Sequence, residues 1–203
     1  MPPSQLTVQQ LTEAFQSGRT DFPDLLLRAV NLQGKKLPFI NLEAVNLQQA
    51  NLCQTLLSGA CLVRANLQNA NLSRANLIAA DLIRADLQGV DLSNALLSMA
   101  NLTGANLNQA NLRGTNLPGA ILRAASLRNA NLANANLKDA DLTGANLLGA
   151  NLQGAILENT QFHYTVMPDG HCLLDEEVRA GDMAVPLANL TAYTRLARHL
   201  KSP

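Results

Sequence analysis

The sequence predicts an all-β solenoid, a rod of stacked coils, and three observations predict it. Leucine occupies every fifth position from Leu27 to Leu157 without a break, and Phe22 and Phe162 extend that register by one unit at each end. Two residues before each leucine the side chain is usually small; between positions 60 and 155 it is alanine everywhere except Val90 and Thr115. The residue between them is usually Asn or Asp, as in Ala65-Asn66-Leu67-Gln68-Asn69.

A period of five suits neither regular element. On an α-helix five residues turn through about 500°, so successive leucines would wander over every face. On a flat strand an odd spacing sends successive leucines to opposite faces. Both conflicts vanish if the chain turns a corner in every unit. Ala and Leu then share the inward side of a short strand, the Asn or Asp between them points out, and the last two residues make the corner. Backbone hydrogen bonds must then run to neighbouring coils, at the usual strand spacing of about 4.8 Å.

This A(N/D)LXX register resembles that of the pentapeptide-repeat family over about residues 21–165. The resemblance implies a right-handed quadrilateral parallel β-helix with four pentapeptides per coil. It also implies about seven coils and a rod on the order of 35 Å long. The first units depart from the pattern, because Leu25, Val30, Lys35 and Ile40 replace the small inward residue. A buried, unpaired ammonium is costly, so the region around Lys35-Lys36 is expected to be splayed or open to solvent.

Open solenoid ends need covering. Residues 1–20 are read as an N-terminal helical cap, with a helix over 5–16. Thr7 and Gln10 suit a capping box there, Val8, Leu11 and Phe15 share a face, and Gly18 suits the stop. Residues 21–165 form the repeat β-helix. Residues 166–203 supply a turn at Pro168-Asp169-Gly170 and a capping helix over 187–200, carried by Leu187, Leu190, Leu196 and Leu200. Some members of the family dimerise through their C-terminal ends.

Composition excludes several functions. The formal net charge is zero, from 15 basic and 15 acidic side chains, and no aromatic residue lies between Phe39 and Phe162. That argues against nucleic-acid stacking platforms, a basic stripe or an anionic-membrane surface. No signal peptide or membrane-spanning run is visible. Three cysteines (Cys53, Cys61, Cys172) at unrelated spacings suggest no disulfide framework, and a reducing cytoplasm is the expected compartment.

Candidate chemistry is sparse. His163, His171 and His199 lie outside the repeat core, and the adjacent His171-Cys172 lacks the further ligands a zinc site needs. Asp81, Asp86 and Asp91 are successive outward residues, expected on three different faces, where Asp substitutes for Asn. No phosphate-binding loop is present. The expectation is a non-enzymatic protein with no cofactor and no metal.

Sorting outward residues by a twenty-residue coil gives a more informative pattern. The sides centred on Leu57, Leu77, Leu97 and Leu157, and on Leu62, Leu82 and Leu122, carry Leu56, Cys61, Val63, Ile78, Ile83, Leu96, Met99, Ile121 and Ile156. Over Leu47 to Leu157 the other two sides carry only Cys53 and Leu148 of that kind. Such concentration predicts an interaction surface. The function expected is a rigid scaffold for protein–protein interaction, with an unknown protein or a second copy as partner. The family suggests an alternative, since some members mimic duplex DNA and bind DNA gyrase. That mimicry needs an acidic rod, and residues 22–162 hold eight acidic against ten basic side chains.

Overall fold

In the computed structural model, which describes residues 6–173, one set of hydrogen bonds repeats and builds the coil. The unit Asn76–Ala80 uses all five of its N–H groups. Asn76 N–H donates to the Thr55 carbonyl of the preceding coil at 2.9 Å, while Leu77 and Ala79 donate to Leu96 and Ser98 of the following coil at 2.7 and 2.9 Å. Ala80 N–H closes the corner on the Leu77 carbonyl at 3.0 Å. The fifth donor, Ile78 N–H, goes to the Asn76 side chain at 3.1 Å. Parallel bridges run from Asp21↔Asn41 to Asn146↔Val166, each linking residues twenty apart, so four units complete one turn of a β-helix.

The corner requires a left-handed residue. From Asp24 to Tyr164 every fifth residue has φ between 54° and 72°, whether it is Gly, Asn, Ala or Arg. The remaining backbone extends, turning small residue and leucine inward together. The every-fifth leucines from Leu42 to Leu147 are 0–1% exposed, and alanines such as Ala65, Ala105 and Ala145 are as deeply buried. One continuous leucine–alanine core therefore fills the axis.

The first coil differs from the splayed arrangement expected of it. Leu37 N–H and the Lys35 carbonyl both bond Leu56, at 2.8 and 2.9 Å, and Lys36 bridges Leu56. Lys35 itself is half-buried, with a stem long enough to cover apolar surface while its ammonium reaches outward. Leu25 and Ile40 are buried in the same core.

Helix α1 spans Val8–Gln16, starting later than the sequence suggested because Thr7 is its N-cap. Thr7 and Gln10 form a reciprocal capping box. Leu11 is fully buried in the core, with Val8 and Phe15 packed against it. The helix ends where Gly18, at φ 97°, donates to Phe15 and Arg19 donates to Ala14. At the other end Thr165–Val166 (β1) pairs antiparallel with Cys172–Leu173 (β2) across the Met167–Gly170 turn. The helix expected over 187–200 lies outside the described residues.

Candidate interaction surface

The four sides of the rod can be named by their leucines: Leu57, Leu62, Leu67 and Leu72. On each side the outward residue just before the leucine occupies a slot with a defined task. Its side-chain oxygen accepts the N–H two residues on, as Asp81 does from Ile83 at 3.0 Å and Asn101 from Thr103 at 3.1 Å. The ladder engages the other four N–H groups, so this bond is the usual partner of the fifth, although Arg128 N–H goes instead to Asn108 of the preceding coil at 2.9 Å. Asn and Asp are frequent there for that reason. Stacked slots also link along the rod, as Asn106 Nδ2 does to Asp86 at 3.0 Å and Asn136 to Asn116 at 3.1 Å.

Five of the residues singled out from sequence occupy this slot: Leu56 and Leu96, with Ile156, on the Leu57 side, and Cys61 and Ile121 on the Leu62 side. None can accept the bond. The N–H groups of Ser58, Val63, Ser98, Arg123 and Glu158 therefore receive no Asx oxygen from their own unit. The Asx hydrogen bond therefore does not explain these apolar residues where they stand.

Exposure is uneven across the set. Met99 (67%) and Ile156 (50%) stand well clear, Ile78, Leu96 and Ile121 are exposed to a lesser degree, and Leu56, Cys61, Val63 and Ile83 are half-buried between coils. The Leu57 side therefore dominates. It also carries Phe39, 72% exposed, which the sorting of sequence positions missed because it began at Leu47. From Leu56 to Gly119 this side bears no charged side chain. Its corners are shaped by glycine: a Cβ on Gly59 would meet the Phe39 ring at 2.5 Å, and one on Gly119 would meet Met99 Sδ at 2.7 Å. Each large side chain leans over the next coil's glycine.

A family model for pentapeptide repeats matches residues 39–73, 60–98, 100–139 and 120–159, in eight copies. The chain belongs to the pentapeptide-repeat family. Among solved pentapeptide-repeat proteins it is similar to HetL, involved in heterocyst differentiation regulation in the cyanobacterium Nostoc sp. strain PCC 7120. Identity is 29% over 83% of this chain and 100% of that one, with a TM-score of 0.30. It is similar to Rfr23 of the cyanobacterium Cyanothece 51142 at 26% identity over 83% and 100%, TM-score 0.35. QnrB1, a plasmid-mediated fluoroquinolone resistance protein, aligns at 17% identity over 87% and 89%, TM-score 0.49. No curated protein matches the chain.

On the Leu57 side of this pentapeptide-repeat rod charged groups flank the apolar region, whereas on the Leu62 side Arg64, Asp81, Arg84 and Arg123 stand among the apolar residues. Lys138 pairs with Glu158 at 2.9 Å on the Leu57 side, and Glu158's hydrogen bond and charge raise the Lys138 pKa. On the Leu62 side Arg123 Nε donates to Asp141. Burial pushes the Asp141 carboxyl up, but the Thr143 hydroxyl and amide and the Arg123 guanidinium together outweigh it. The group is held below the usual carboxylate range. Asp81, Asp86 and Asp91 bridge different neighbours on three different sides and do not converge. His171 pairs with Asp169 at 2.9 Å within the terminal turn. Among the described residues no helix is long and apolar enough to cross a membrane.

Proposed function

We propose that the chain is a non-enzymatic, right-handed pentapeptide-repeat rod that binds protein through its Leu57 and Leu62 sides. The observation that carries this reading is the loss of the Asx slot. Between Asn31 and Gln161 every apolar residue in that slot, Leu56, Cys61, Leu96, Ile121 and Ile156, lies on these two adjacent sides, while at the rod ends Leu26 and Val166 occupy it on the Leu67 side. An exposed apolar residue that forgoes the Asx bond is best explained by contact with another surface. In this reading residues 1–20 and 166–203 close the two ends of the 21–165 repeat. We read the setting as a reducing cytoplasm, on the odd number and unrelated spacings of Cys53, Cys61 and Cys172.

The test is a double substitution, Ile83→Glu with Leu96→Glu. The core does not use either side chain, so circular dichroism and thermal unfolding should match the parent. Both glutamates would be desolvated without a partner in any contact on these sides. Loss of the proteins retained by the immobilised parent from its host extract, or of self-association, is expected. A correctly folded variant that keeps every such association overturns the reading.

A further inference from the structure

Deepening that reading, and resting on it, we propose that the Leu57 side is the interface of an antiparallel homodimer whose twofold axis passes through Ile78. The observation is a palindrome written down the rod. Take the coils centred on Leu37, Leu57, Leu77, Leu97 and Leu117. The residue after each leucine reads Pro38, Ser58, Ile78, Ser98, Pro118, the same in both directions. Pro38 and Pro118 are the only prolines between Asp24 and Met167. The slot before the leucine centres on Asn76, with Leu56 and Leu96 placed symmetrically about it as the only leucines at that slot from Asn31 onward.

The corner column reads Phe39, Gly59, Ala79, Met99, Gly119. Within one chain Phe39 already covers Gly59 and Met99 covers Gly119, so reversal about Ala79 brings Phe39 and the second copy's Met99 over the same stretch of the side, apolar against apolar. A twofold axis lying in the interface and crossing the rod reverses the coil order but keeps each column opposite itself. Leu56 then faces the second copy's Leu96, and Ile78 faces Ile78. Such a contact is isologous and closes at two. Among the five coils only Lys36 brings a charge to the slot column, and reversal sets it at the edge of the contact against Asn116.

The side is narrow. Five coils span roughly 24 Å and three extended residues about 10 Å, well short of the roughly 800 Å² per partner of a standard interface. The dimer is accordingly a weak one, so its test spans protein concentrations from about 10 μM to about 1 mM.

Sedimentation velocity over that range should show the parent's average mass rising toward a dimer, and Ile78→Glu remaining monomeric. A register test uses chains with Cys53, Cys61 and Cys172 replaced by Ser. Mixed copies bearing Leu56→Cys and Leu96→Cys should form a disulfide under mild oxidation, whereas either copy alone should not. This arm decides the matter even if Ile78→Glu fails to fold. A parent that stays monomeric throughout overturns the inference, as does Leu56→Cys cross-linking to itself as fast as to Leu96→Cys. A monomeric parent whose Ile83→Glu, Leu96→Glu variant still loses a bound protein sinks the dimer and leaves the broader surface standing.

Discussion

Four buried threonines show how little room the coil leaves for a polar atom. Thr55, Thr115, Thr160 and Thr165 stand where alanine is usual, and each hydroxyl donates to a leucine carbonyl of the preceding coil at 2.7–2.9 Å. That carbonyl already accepts its own corner N–H, so the threonine uses its second lone pair and remains satisfied. Asp141 solves a similar problem with charge. Its lowered pKa means it contributes stability above the ordinary carboxylate value, near pH 4, and loses it as pH falls through the folded-state value. Arg123→Leu removes one of the groups holding it down, so that loss should begin at a higher pH. Carboxyl titration of Asp141 by NMR, alongside the acid-unfolding midpoint, checks this; an unmoved titration of Asp141 contradicts it.

At the scale of the five-residue unit, alanine sets the distance between leucine rows. Ala105, 1% exposed, has no space for a longer chain, and Ala105→Leu should cost about 1–3 kcal/mol through overpacking. Chemical denaturation measures it, and an unchanged midpoint would contradict the packing described. The leucine register was readable from sequence because a period of five cannot be housed in a helix or a flat strand. The coil length was not, and came from family resemblance; without it no residue could be assigned to a side. At Lys35 the sequence allowed a splayed or a solvent-open coil: the ladder is not splayed, and the lysine is only half-buried where the next inward residues are closed off. Phe39 and its glycine partner Gly59 were missed for a different reason. Their relation spans twenty residues and exists only once coils are stacked. Leu56 and Leu96 were legible as apolar, but the hydrogen bond they give up was not, since it depends on which donors the ladder has already taken.

For the whole molecule, charge decides what the rod resembles. With eight acidic and ten basic side chains between residues 22 and 162, it lacks the negative field of duplex DNA. The purified protein should therefore leave gyrase supercoiling unaffected at stoichiometric concentration, and clear inhibition would revive the mimicry reading. The ladder has a mechanical consequence as well. Its hydrogen bonds point along the rod axis and join each coil only to its neighbours, so tension between the ends loads the coils in series. A coil that gives way frees twenty residues, about 66–72 Å of extended chain, in exchange for roughly 4.8 Å of rod. Under force the molecule would act as a tether paying out nearly equal lengths, one coil at a time, each release leaving the next coil as the new end.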